Sequence, residues 1–307
     1  MKILVTGGAG FIGSHLVDRL VREQWGEIVV LDNLFRGKLE NLAQHADNAQ
    51  VRFVNGDIRE PAILREHMRG AEIVFHLAAQ SNVMGAVTNV EYSFQTNVVG
   101  TFNVLSAAKT CGVRRVVFTS SREAYGEAQY LPVDEQHPLL SKNTYGASKL
   151  AGEAYARVFY NTFQLETAVL RLANAYGTRD FDRVIPIWLT RALHGLDLVV
   201  YGGQQLIDFV WIDHIVEALL RATQADIIGQ PINIGSGIGT PILELADRII
   251  RLVGTTAKLD RQPARAVEVA KFTAQVDLMR EKLGIAPPAD ALFALPQMLD
   301  YYRAREK

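Results

Sequence analysis

Residues 1–13 read MKILVTGGAGFIG, and their reading decides the fold. Ile3–Thr6 is a short apolar run of strand type. It ends in Gly7-Gly8-Ala9-Gly10, after which Phe11–Val21 carries apolar residues at helical spacing. Gly7 permits a sharp turn off the strand, Gly10 lets a ligand approach the backbone, and Gly13 lets the helix pack close to the strand. A helix that begins this way offers free N–H groups and a positive dipole end to an anion such as a pyrophosphate. A glycine fingerprint alone is weak. Here Asp32 follows it at the end of the next strand, where a carboxylate accepts hydrogen bonds from a ribose diol. The same carboxylate repels a 2′-phosphate, so NAD is expected rather than NADP, with Arg36 the one neighbour that argues against it.

Working outward, short apolar runs alternate with helical patterns. Ile28–Leu31, Val51–Asn55, Ile73–Phe75, Val116–Thr119 and Ala168–Arg171 read as strands; Glu91–Lys109 and Thr144–Phe163 read as helices. The alternation predicts an α/β chain with a Rossmann-type, doubly wound parallel sheet. After Tyr176-Gly177 the pattern loosens. Val184–Leu193 and His214–Ala222 read as helices, and Leu198–Tyr201, Phe209–Ile212 and Pro231–Ile234 as strands. Pro241–Val253, Val276–Leu283 and Leu295–Tyr302 read as helices of a smaller α/β lobe. The expected division is a cofactor-binding domain over 1–172, to which about 209–235 returns, and a substrate-binding lobe over 173–208 and 236–307.

At 307 residues the chain can bury a sizeable core, and its 49% apolar and 21% charged residues are those of an ordinary globule. A net charge of −1, with no long charge run, argues against nucleic acid or an anionic membrane surface as partner. Cys111 is the only cysteine, so neither an internal disulfide nor a cysteine-rich metal site is available. The seven histidines show no ligand spacing, and no metal is expected. The opening strand leaves no room for a signal peptide and no apolar run is long enough to span a bilayer, which together suggest a cytoplasmic protein.

The second informative stretch is Tyr145-Gly146-Ala147-Ser148-Lys149. Its tyrosine and lysine fall on one face of a helix. A phenol is a poor base at neutral pH, and a nearby ammonium favours the phenolate. Thr119-Ser120-Ser121 ends the fifth strand, the end that lines the ligand crevice of a parallel sheet. Ser121 is placed to bridge a substrate hydroxyl and Tyr145. Leu77-Ala78-Ala79 ends the fourth strand with residues small enough for a cofactor to lie on the backbone, and Asp57, followed by Ile58, ends the third beside the expected adenine position.

On these stretches the chain resembles the extended short-chain dehydrogenase/reductases, and among them the NAD-dependent nucleotide-sugar epimerase/dehydratase family. Thr6–Gly13, Leu31–Leu42, Phe75–Gln80, Asn97–Leu105, Phe118–Glu127, Tyr145–Lys149, Leu170–Gly177 and Asp208–His214 look like family landmarks in family order. The resemblance implies that Gly7, Gly10, Phe11, Ile12, Gly13, Asp32, Asn33, Asp57, Ile58, Leu77, Ala78, Ala79, Thr119, Tyr145 and Lys149 bind NAD. It implies that Ser121, Tyr145 and Lys149 perform the chemistry: a nucleoside-diphosphate sugar is oxidised at C4 and reduced again, so NAD is regenerated. It places Ser81, Ser121, Arg122, Asn174, Val184, Ile185, Val200, Tyr201, Gln205 and Arg265 at the substrate, Arg265 on its diphosphate. It also implies a homodimer through the helices Glu91–Lys109 and Thr144–Phe163.

The fate of the 4-keto sugar turns on Ser121-Arg122-Glu123. Glu123 occupies the position of a dehydratase base, but its neighbour Arg122 is always charged and cannot act as a general acid. Gln205-Leu206-Ile207-Asp208-Phe209 puts Ile207 where the resemblance implies an arginine, one that works on the substrate in decarboxylases and on the diphosphate in epimerases and dehydratases; its loss speaks against a decarboxylase and departs from every subfamily. Asp32-Asn33-Leu34 with Gly37 and Glu40-Asn41-Leu42 looks like a hexose 4-epimerase. The leading reading is a nucleotide-sugar 4-epimerase acting on a UDP-hexose or UDP-hexuronate, with Arg179 or Arg183 as a candidate partner of a uronate. A dehydratase using Glu123, a decarboxylase or reductase, and a non-catalytic NAD-binding scaffold are the alternatives.

Overall fold

The computed structural model describes residues 1–305. Seven parallel strands form the main sheet in the order β3-β2-β1-β4-β5-β6-β10. They are β1 (Lys2–Thr6), β2 (Glu27–Asp32), β3 (Val51–Asn55), β4 (Ile73–His76), β5 (Arg115–Ser121), β6 (Glu166–Leu172) and β10 (Ile232–Ile234). The chain winds from β1 to β3 and then jumps back beside β1 to start β4. That reversal opens a crevice at the C-terminal ends of β1 and β4.

Strand alternation builds a core on each face of the sheet. Ile3, Val5, Val30, Phe75 and Val117 pack with Leu16, Val17 and Leu20 of α1 (Phe11–Arg22). Leu4, Val29, Leu31, Val74 and Val116 face the other way, onto Leu64 and Met68 of α2 (Pro61–Met68), α5 (Gly100–Thr110) and Phe159 of α6 (Thr144–Phe163). Asn143 caps α6, its Oδ1 accepting from Gly146 N.

The expected helix Glu91–Lys109 is interrupted. After α3 (Val83–Thr88), α4 (Val90–Phe94) runs into one π-helical turn over Gln95–Val99 before α5 begins. The turn aims buried Asn97 at the loop after β4. Gln80 N donates to Asn97 Oδ1 at 2.7 Å, and Asn97 Nδ2 donates to Gln80 O at 3.1 Å and Ser148 Oγ at 3.0 Å. One side chain thus ties the loop of Leu77-Ala78-Ala79 to the helix of Tyr145.

Beyond β6 a second layer forms. β7 (Asn174–Tyr176), β9 (Leu206–Trp211) and β11 (Gly239–Pro241) make a three-stranded sheet; β8 (Leu198–Tyr201) and β12 (Leu259–Gln262) pair in parallel. Around them lie α7 (Val184–Leu193), α9 (Ile242–Val253) and α11 (Leu295–Arg305), while α10 (Asp277–Leu283) packs on β10 of the main sheet. Phe209 pairs with Asn174 in the small sheet rather than with the main sheet. The chain rejoins the main fold through α8 (Ile212–Arg221), which packs on α1, and through β10 beside β6. Among the described residues no helix is long and apolar enough to cross a membrane.

Candidate active site

A cleft of about 870 Å³ runs from the glycine turn to the small lobe. The glycine turn is held rigidly: Gly7 N donates to Leu31 O at 2.8 Å, and Gly7 has a φ of +74°. A Cβ on Gly7 would lie 2.7 Å from Ala78 N, and one on Gly13 would lie 2.2 Å from Gly7 O. Neither position has room for a side chain. No side chain caps Gly10, and the first turn of α1 holds no acidic residue, so the helix start is left open to an anion.

Asp32 is buried at the tip of β2. Its Oδ2 accepts from Ala9 N at 3.0 Å and its Oδ1 from Leu34 N at 2.8 Å. Burial raises its carboxyl, with these two bonds opposing. Arg36, the residue that spoke for NADP, is ion-paired with Asp182. Asp57 does not line the cleft; it accepts from Asn33 Nδ2 at 2.8 Å and pairs with Arg59, while Gly56 and Ile58 form the wall. The aspartate therefore holds Asn33 in place from behind.

Tyr145 lies half-buried where α6 begins. Burial pushes its phenol up to about 12; the Arg183 charge and a hydrogen bond with Ser121 pull it down, and Glu123 adds to the rise. Lys149 Nζ donates to Thr119 O at 2.8 Å and sits 5.8 Å from the centroid of the Tyr145 ring. Burial brings the Lys149 ammonium itself down to about 7. The protein alone therefore leaves the phenol protonated at neutral pH.

Glu123 lines the same cleft with both carboxylate oxygens engaged. Arg122 Nη2 lies 2.9 Å from Oε1, and Asn143 Nδ2 donates to Oε2 at 2.7 Å. Arg265 stacks on the Tyr201 ring at 3.6 Å and pairs with Glu268. Gln205 Nε2 donates to Tyr201 O at 2.5 Å.

Ser81, Asn174, Val184, Ile185, Tyr201, Gln205 and Arg265 all line the cleft; Val200 does not. On β8 alternate residues face opposite ways, so Val200 enters the core and Val199 lines the cleft with Tyr201. Arg183 and Arg179 both line the cleft: Arg183 is paired with Asp180 at 2.9 Å and lies over the Phe11 ring, and Arg179 is paired with Asp18 at 2.7 Å. Sequence reasoning missed Thr96 and Trp188, which carry no motif of their own. Thr96 is delivered by the π-helical turn and Trp188 by the inner face of α7.

Two observations test the fit of a dinucleotide. The cradle at Gly7 and Gly13 excludes any side chain, and Asn174 Oδ1 and Thr96 Oγ1 are buried in the cleft wall with no hydrogen-bond partner among the described residues. Both agree with a polar ligand lying on the backbone.

A profile of the NAD dependent epimerase/dehydratase family matches residues 3–235. The chain is 35% identical over 309 residues to a putative UDP-glucose 4-epimerase of Methanocaldococcus jannaschii, covering 98% of each. The UDP-glucose 4-epimerase of Thermotoga maritima, solved with UDP-glucose, superposes with a TM-score of 0.95 at 33% identity over 100% of both chains. The dTDP-glucose 4,6-dehydratase of Streptomyces venezuelae, solved with NAD, superposes with a TM-score of 0.95 at 30% identity, over 100% of this chain and 98% of that one. Overall shape therefore does not separate the two reactions. On sequence, sheet order and cradle together, the chain belongs to the NAD-dependent epimerase/dehydratase family of enzymes, and NAD is its cofactor.

Proposed function

We propose that this protein is a nucleotide-sugar 4-epimerase acting on a UDP-hexose or UDP-hexuronate. The observation that carries the reading is the state of Glu123. Chemistry confined to C4 needs one acid–base group. Loss of water across C5 and C6 needs a carboxylate to take a proton and an acid to give one. Glu123 is occupied by Arg122 on one oxygen and Asn143 on the other. The position beside it is a guanidinium that does not give up its proton.

In this reading Gly7, Gly10 and the start of α1 hold the pyrophosphate of the cofactor, Asp32 its adenosine ribose, and Lys149 its nicotinamide ribose. NAD held there would supply a hydride acceptor and donor for sugar C4 and a positive charge that would favour the Tyr145 phenolate. Tyr145 removes the proton of the 4-hydroxyl and restores it after the sugar has turned over. Ser121 keeps that hydroxyl in line with Tyr145. Arg265 is the cation for the substrate diphosphate, the place of a further arginine being filled by Ile207, and Arg183 in the cleft wall is the candidate partner of a uronate. Two copies of the chain pair through α5 and α6, whose outer faces leave Phe102, Tyr155, Val158 and Phe163 exposed.

The test is incubation of purified protein with UDP-glucose, UDP-glucuronate or dTDP-glucose, followed by NMR of the products. The C4-inverted sugar supports the reading. A 4-keto-6-deoxy sugar makes Glu123 a base and the protein a dehydratase. No turnover of any of the three, with NAD still bound, favours a scaffold protein.

A further inference from the structure

Glu153 lies one helical turn beyond Lys149 on α6, and no step above uses it. It is 5% exposed and Arg171, on β6, is 2% exposed. Glu153 Oε1 accepts from Ser120 Oγ at 2.5 Å and from Arg171 Nε at 2.9 Å; Oε2 accepts from Arg171 Nη2 at 2.7 Å. Ser120 stands between Thr119, whose carbonyl accepts from Lys149, and Ser121, whose hydroxyl lowers the Tyr145 phenol. The network continues away from the site: Arg171 Nη1 donates to Tyr125 OH at 2.9 Å, and Tyr125 OH donates to Asn233 Oδ1 at 2.7 Å. One carboxylate is thereby joined both to the helix that carries the catalytic pair and to the strand end that holds it.

The groups facing Lys149 are few. β4 contributes His76, which is pushed down to about 3 by burial and repelled by Lys149. α6 contributes Tyr145 and Glu153. β5 contributes the Thr119 carbonyl and the Phe118 ring, 4.9 Å from Nζ. Of these Glu153 supplies the negative charge, and β6 contributes Arg171, the cation paired with it at 2.7 Å.

We propose that Glu153 is a positioning residue of this site: clamped by Arg171 and Ser120, it fixes the end of β5 against α6 and so keeps Lys149 seated on the Thr119 carbonyl. Burial draws the Lys149 ammonium down to about 7, and Glu153 is what opposes the fall. Arg171, by saturating Glu153, keeps that carboxylate ionised in a buried place. The assignment holds whichever sugar reaction the site performs, and its test needs no substrate.

Competitive acetylation of the purified full-length protein across a pH series, read on the Lys149 peptide by mass spectrometry, gives the midpoint of that amine. Glu153→Gln is expected to lower it by about one unit. Because that variant strands the Arg171 charge in the core, Glu153→Gln/Arg171→Gln is measured beside it; it retains an amide pair, and a shift in the same direction is expected. Glu153→Asp, which keeps the charge, is expected to restore most of the wild-type midpoint. Unchanged midpoints in both glutamine variants, with only a lower Tm, make Glu153 purely structural and overturn the proposal.

Discussion

Tyr145 carries the proton transfer in this account, and its surroundings are set against it until the site is filled. Burial lifts the phenol to about 12, while Ser121 and Arg183 pull it down. Tyr145→Phe removes the group and nothing that packs the core; it is expected to lower kcat by about 10²–10⁴-fold with Tm unchanged. Glu123 is the opposite case. If it only anchors Arg122 and Asn143, Glu123→Gln keeps C4 inversion and loses far less than the roughly 10²–10⁴-fold of a missing general base. Steady-state kinetics on both variants with the same nucleotide sugar separates the two roles. A Glu123→Gln loss as deep as that of Tyr145→Phe would make the carboxylate catalytic.

At the scale of elements, the β1–α1 turn admits little change. Gly13→Ala puts a methyl group 2.2 Å from the Gly7 carbonyl. Bound NAD, measured as nucleotide released on denaturation, is expected to disappear, with a stability loss of about 1–3 kcal/mol. His76 ties the sheet at β4, between Thr6 Oγ1 at 2.8 Å and Thr101 Oγ1 at 2.9 Å. Folded, it takes a proton only near pH 3; unfolded, it does so near pH 6.5. Its contribution is therefore complete above pH 6.5 and falls as pH drops towards 3, by up to about 1.4 kcal/mol per pH unit. Urea unfolding at pH 7 and pH 4 is expected to show a smaller acid loss in His76→Asn than in the wild type. The main-sheet strands were legible because both their faces are apolar, which leaves unbroken runs such as Ile28–Leu31. β12 was not, since Leu259–Gln262 is largely exposed and has no periodic signal. The π-helical turn at Gln95–Val99 was also hidden, because it follows from what Asn97 bonds and not from apolar spacing. Val200 was misplaced for a simpler reason: a four-residue strand has two faces, and nothing in the sequence said which one met the cleft.

For the molecule as a whole, the apolar outer faces of α5 and α6 make a dimer the expected state. Sedimentation is expected to give twice the mass of the chain, and Val158→Glu with Tyr155→Arg to give a monomer; a wild-type monomer would remove this interface. The reaction is the claim on which most depends, and following the C4 hydrogen tests it most directly. Nucleotide sugar deuterated at C4, incubated with the purified protein, is expected to yield the C4 epimer with deuterium still on C4, because the hydrogen leaves and returns at one carbon. Deuterium at C6 of a 4-keto-6-deoxy sugar would contradict the account and make Glu123 the base of an elimination.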